Sequence, residues 1–106
     1  MGEIVTLKGA VLTDKKAQEI IRRLAMEGNN IRWSKHARER MKQRGVTTLQ
    51  VINCLLKGTI IEPVSYSYSN GGGYVTKIRR VTAGELVEVA LCLKLEGYLL
   101  IITVIN

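Results

Sequence analysis

The chain has 106 residues, 46% of them hydrophobic and only one a proline, which fits a single domain over 1–106 with a real core and excludes a disordered chain. No apolar run approaches the roughly 20 residues of a membrane span, and the opening MGEIVTLKGA lacks the basic-then-apolar order of a secretory signal, so a cytoplasmic protein with no membrane partner is expected. The formal charge is +7, and residues 31–58, with seven bases against one acid, hold nearly all of the excess, which is the footprint of a polyanionic partner or of a basic, solubilising surface.

Gly2 and Thr6 meet the loose myristoylation pattern, which is short enough to be met by chance. Thr13 or Asp14 caps a first helix running to about Glu27, with Gly28 as its stop and Asn29-Asn30 as the turn. Ala17, Ile20, Ile21, Leu24 and Ala25 recur at helical spacing and form its buried face. Ser34 caps a second helix that Gly45 ends. A third opens on Thr47 with Gln50 at the N3 position, a capping box, and Val46 and Val51 sit where a hydrophobic staple needs them. Its apolar face is Val51, Ile52, Leu55 and Leu56, and Gly58 closes it.

From Thr59 the period changes to two. TIIEPVSYSYS reads as a strand whose Pro63 suits an edge or a bulge. SNGGG is a hairpin turn, YVTKIRRV the returning strand and Ala83-Gly84 the next turn. ELVEVALCLKL alternates from Val87 to Leu95, and Glu96-Gly97 leads into YLLIITVIN, apolar on both faces and therefore central. The expected fold is α+β, three N-terminal helices on one face of a roughly four-stranded antiparallel sheet. Cys54 and Cys92 have no CxxC partner and read as buried free thiols. One histidine, without a cluster of cysteines or carboxylates at ligand spacing, predicts neither metal nor cofactor.

The sheet carries Tyr66 and Tyr68 on one face of its first strand. The returning strand offers either Val75, Lys77, Arg79 and Val81 or Tyr74, Thr76, Ile78 and Arg80 to the open side. A slip of one residue swaps the two sets, so pattern alone does not choose between them. A face joining tyrosines to Lys77, Arg79 or Arg80 suits an RNA strand, since tyrosines stack on bases and cations hold phosphates. A solvated sheet face is the alternative.

The second helix, SKHARERMKQRG, separates on a wheel into two sets of bases. With His36 at zero, Arg40 falls at about 40° and Arg44 at about 80°, interleaved with Ala37 and Met41 at about 100° and 140°. Lys35, Arg38 and Lys42 point away from that apolar stripe and form a solvated face. Guanidinium groups beside a core need partners, which are either protein carboxylates (Glu62, Glu85, Glu88) or a ligand phosphate. His36 lies in the first helical turn, where the dipole favours a neutral imidazole able to act as a base.

The run His36-Ala37-x-x-Arg40-Met41-x-x-Arg44-Gly45-Val46 resembles a bacterial and phage domain-of-unknown-function family with the pattern His-Ala-x-x-Arg-x-x-x-Arg-Gly-Ile/Val, grouped with small toxins of the RelE/ParE superfamily. The layout of basic helices followed by a strand meander is similar to toxins of the MqsR type. These resemblances imply a RelE-like fold and a metal-independent endoribonuclease, an mRNA interferase whose partners are RNA, a cognate antitoxin and the ribosome. The catalytic Lys, Gln and Tyr of the MqsR type do not align securely with any position here, so the activity is implied by the fold resemblance and not carried over residue by residue. The alternative is a non-catalytic domain that binds nucleic acid or protein and retains the fold.

For RNA cleavage a base takes the 2′-hydroxyl proton, cations hold the phosphoryl charge and an acid protonates the leaving oxygen. His36 and Tyr66 are the candidates for proton transfer, and Lys77 and Arg79 complete the candidate catalytic set. Arg40, Arg44, Arg38, Lys42, Tyr68 and Arg80 are the candidate RNA-binding residues. No Ser-His-Asp or Cys-His arrangement is supported.

Overall fold

Each of the three α-helices among the described residues opens on a hydroxyl cap. In a computed structural model describing residues 12–82 and 84–105, α1 spans Asp14–Ala25, and the Thr13 side chain accepts from the Lys16 amide at 3.1 Å. The helix ends two residues before the expected Glu27, because Gly28–Asn30 form a separate 3₁₀ turn. The second helix, α2, spans Lys35–Arg44, and the third, α3, spans Thr48–Lys57 with both halves of the Thr47/Gln50 capping box formed. The segment read for targeting signals, along with Ala83 and Asn106, lies outside the described residues.

Among the described residues the sheet has five strands, not four, and is mixed rather than antiparallel. They are β1 (Ile31–Trp33), β2 (Thr59–Ser67), β3 (Gly73–Thr82), β4 (Glu85–Leu93) and β5 (Leu99–Ile105), in the order β1-β5-β4-β3-β2. The extra strand, β1, lies parallel to β5 with Ile31 opposite Leu99 and Trp33 opposite Ile101. Three residues carry no readable period, so β1 exists because β5 has an open edge to pair with. β5 is interior, as its two-sided apolar run predicts, and β2 is an edge whose pairing slips on both sides of Glu62, next to Pro63.

The helices cover one sheet face, giving a two-layer α+β architecture. Ile21, Val51 and Leu55 from the helices meet Ile78, Val89, Leu91, Leu99 and Ile101 from the strands, all with no exposed surface. Pairing of Tyr74 with Leu93, Thr76 with Leu91 and Ile78 with Val89 places that set of β3 under the helices. Val75, Lys77, Arg79 and Val81 therefore take the open face. At the far end of the sheet the Ser69–Gly73 turn folds tightly over β4. A Cβ on Gly73 (φ +147°) would sit 2.6 Å from the Cys92 sulfur and 2.8 Å from the Leu93 carbonyl, so no larger residue fits. No helix among the described residues is long and apolar enough to cross a membrane.

Candidate nucleic-acid interface

The basic helix α2 is fastened to β5 at its first turn. Ser34 Oγ accepts from the Ala37 amide and donates to the Ile102 carbonyl, both at 2.9 Å, while the Ser34 amide donates to the Ile101 carbonyl at 3.1 Å. Ala37 and Met41 bury the inner stripe of the helix at 0% and 7% exposure. Gly45 ends it in the left-handed conformation (φ 68°), and the Val46 amide returns to the Met41 carbonyl at 2.9 Å. These contacts fix how the helix presents its charges.

Lys35, Arg38 and Lys42 are exposed, as the wheel predicts. The row His36, Arg40 and Arg44 departs from expectation in two ways. His36 and Arg44 are exposed, because they occupy the first and last turns of a ten-residue helix, and only Arg40 at mid-helix is half-buried. The protein partners expected for the row are absent: Glu62 pairs with Lys77 at 3.0 Å, Glu88 with Arg79 at 2.7 Å, and Glu85 accepts from Gln50 at 3.0 Å. None of the six basic residues of α2 makes an ion pair or side-chain hydrogen bond among the described residues. The Nε of Arg40 is fully buried without any acceptor. A buried donor of that kind costs about 1–3 kcal/mol unless something external satisfies it.

The remaining predicted residues do not converge on this helix. Lys77 and Arg79 lie on the open sheet face, each neutralised by a carboxylate; Nε and Nη2 of Arg79 both reach Oε2 of Glu88, its cross-strand partner. Tyr66 is on the other face, paired with Tyr74 in register and packed edge-on to it at 5.2 Å. Tyr68 stands edge-on to Tyr66 at 4.9 Å and is 86% exposed. A single Tyr/Lys/Arg face is therefore not formed, since the register puts tyrosines and lysine on opposite sides. The strand bearing Tyr66 is three positions from β5, on which α2 packs, a separation of about 14 Å across the sheet. Arg80 is apart again, half-buried under the helices with Gln50, Asn53, Glu85 and Val87.

Gln50 was legible only as a capping residue and Asn53 carries no motif, so sequence patterning misses the grouping around Arg80. It also misses Lys94, 4% exposed, whose Nζ lies under the glycine turn, 3.2 Å from where a Gly71 Cβ would be. Both cysteines are buried and free, as expected. Burial pushes the Cys54 thiol up to about 12 and raises that of Cys92 as well, so neither is a nucleophile near neutral pH.

Residues 33–106 match the model of the domain-of-unknown-function family DUF4258. The matched segment contains the whole α2 row and the four long strands, and excludes α1. No curated protein and no solved structure matches the chain.

Proposed function

The chain belongs to the DUF4258 family, and from that premise we propose that it acts on RNA through α2, as a metal-independent endoribonuclease of the toxin type with a RelE-like fold. The observation that carries this reading is the unpartnered basic row, above all the buried Arg40 Nε with no acceptor in a chain whose sheet-face cations Lys77 and Arg79 are paired. Phosphate oxygens are the acceptors that satisfy guanidinium groups in such a setting. His36, Arg40 and Arg44 stand at successive i,i+4 positions along one side of the helix, the spacing at which side chains are neighbours.

In this mechanism His36 takes the proton from a ribose 2′-hydroxyl. The freed oxygen attacks the adjacent phosphorus and the bond to the 5′-oxygen breaks, leaving a 2′,3′-cyclic phosphate and a 5′-hydroxyl protonated from water. Arg40 and Arg44 hold the phosphoryl oxygens as charge builds on them. Arg38 and Lys42 engage flanking phosphates. Tyr66, Lys77 and Arg79 leave the catalytic set, because they lie on other elements. A cognate antitoxin, the ribosome and a cytoplasmic setting follow from the same toxin reading.

Purified protein incubated with RNA in EDTA tests this directly. Cleavage by the wild type and its loss in His36→Ala, together with growth arrest on expression that a neighbouring gene product relieves, are the expected results. Absence of both cleavage and toxicity overturns the enzymatic reading. One observation favours a second reading: no other predicted proton-transfer group stands beside His36. A non-catalytic RNA binder then gives salt-sensitive binding without turnover, its log affinity falling against log salt with a slope of about −0.7 per phosphate contact.

A further inference from the structure

We propose that the pocket between the start of α3 and the strands β3 and β4 is a nucleobase subsite selective for guanine, an inference that rests on the RNA reading above. Its lining is Gln50 and Asn53 from α3, Arg80 from β3, and Glu85 and Val87 from β4. It is a shallow, open depression with a cavity volume of about 50 Å³, well below a whole-ligand pocket and suited to taking the polar edge of one planar group rather than a whole nucleotide.

The polar groups around it are held and yet incompletely used. Gln50 is fixed at both ends of its amide, accepting from the Thr47 amide at 2.8 Å and donating to Glu85 Oε1 at 3.0 Å. That bond leaves Glu85 Oε2, the Asn53 amide and the Arg80 guanidinium without side-chain partners among the described residues. Arg80 and Glu85 line one pocket and do not form an ion pair with each other. An acceptor and a multiple donor facing one space, each with spare capacity, match a ligand that carries both functions.

Guanine is that ligand. It presents two adjacent donors, N1–H and the exocyclic N2–H₂, which suit a carboxylate, and two acceptors, O6 and N7, which suit a guanidinium. Adenine lacks the donor pair, and a phosphate would meet Glu85 as a like charge. Val87 gives the pocket an apolar wall. Leu49, one helical turn before Asn53 on the same side of α3, is 65% exposed. The pocket is also within reach of the phosphate row. Gln50 lies six positions after Arg44, so their backbones are less than about 22 Å apart, and one extended RNA strand spans both.

The test is fluorescence anisotropy on short labelled RNAs carrying a single guanosine, inosine or adenosine in an otherwise uniform uridine strand. Wild type is expected to prefer guanosine over both others by about tenfold, inosine isolating the exocyclic N2 contact. Glu85→Gln and Asn53→Ala, both at the pocket's accessible rim, are expected to reduce that ratio toward one. Arg80→Ala is a third variant, to be scored only if its melting curve is native. Equal binding of the three RNAs by the wild type, or retention of the preference in Glu85→Gln and Asn53→Ala, overturns the proposal. Failure of the α2 reading is distinguishable, since it removes binding of every RNA alike. In that case a titration with guanosine 5′-monophosphate against adenosine 5′-monophosphate, followed at the Gln50 and Asn53 side-chain amide resonances, decides alone. Guanosine-specific shifts support the pocket and their absence overturns it.

Discussion

Arg40→Met separates a residue that grips a ligand from one that braces the fold. Methionine keeps most of the aliphatic stem and removes the guanidinium, so packing on the half-buried side of α2 is largely retained. The removed group makes no hydrogen bond or ion pair among the described residues, and its buried Nε is unsatisfied there. Deleting an orphaned donor relieves about 1–3 kcal/mol, while loss of stem contact costs about 0.8 kcal/mol per methylene. These opposed effects leave net stability within roughly 1 kcal/mol of the wild type, and Tm within about 4–8 °C. A guanidinium that braced the core through a buried pair would instead cost about 3–5 kcal/mol on removal, and more than about 12 °C. Binding responds the other way. A lost charge-assisted phosphate contact of about 1.5–3 kcal/mol weakens RNA affinity roughly 10- to 150-fold, and the salt slope flattens by about 0.7. Thermal melts by circular dichroism and anisotropy over a salt series read both quantities. A Tm drop beyond about 12 °C with unchanged RNA affinity would refute the reasoning.

Ser34→Ala removes both the α2 cap and the bond to the Ile102 carbonyl, so chemical denaturation is expected to show a loss of about 1–2 kcal/mol. Arg79→Ala leaves Glu88, whose side chain is only 12% exposed, without its partner; a cycle with Glu88→Gln is expected to give a coupling of about 1 kcal/mol with RNA cleavage retained, and abolished cleavage in a folded Arg79→Ala would move the active site to the sheet. The Cys54 thiol is raised in the fold from 9.0 to about 12 by burial, so its contribution is full below the unfolded value and is lost as pH rises from there through the folded one. Urea midpoints measured upward from about pH 8.5 should fall more steeply for the wild type than for Cys54→Ala; equal slopes would show that the thiol stays exposed to solvent.

Much of this fold was readable because its signals are local. The Thr47/Gln50 box and the Gly45 stop each depend on a few neighbouring residues, and both hold; the Val87–Leu95 alternation gives a strand only to Leu93, because the turn already closes on the Lys94 carbonyl. What escaped depends on partners distant in sequence. β1 is a strand only through its pairing with β5, with Ile31 opposite Leu99, and the facing of Lys77 and Arg79 follows from a register no periodicity encodes. The candidate site divides along the same line. The wheel identified the outer bases of α2 correctly, since exposure follows from angle alone. It overstated the burial of His36 and Arg44, because an ideal wheel has no ends and this helix has ten residues.

The fate of the cations is the strongest functional statement the molecule makes. On the sheet, Lys77 meets Glu62 and Arg79 meets Glu88, each across a strand boundary, so those charges are spent within the protein. On α2, Arg44 follows Arg40 by four residues and Lys42 stands four after Arg38. Like charges at that spacing destabilise a helix by a few tenths of a kcal/mol per pair. The helix carries one acid, Glu39, which forms no pair with either Lys35 or Lys42 although both lie within a turn of it. The same sequence that neutralises Lys77 and Arg79 in register leaves the bases of α2 repelling one another, with one guanidinium nitrogen buried and unmet. Departures from local consistency of this kind concentrate where a surface is kept for a ligand, and under the proposed RNA reading a phosphate backbone bound along α2 would remove both the repulsion and the orphaned donor.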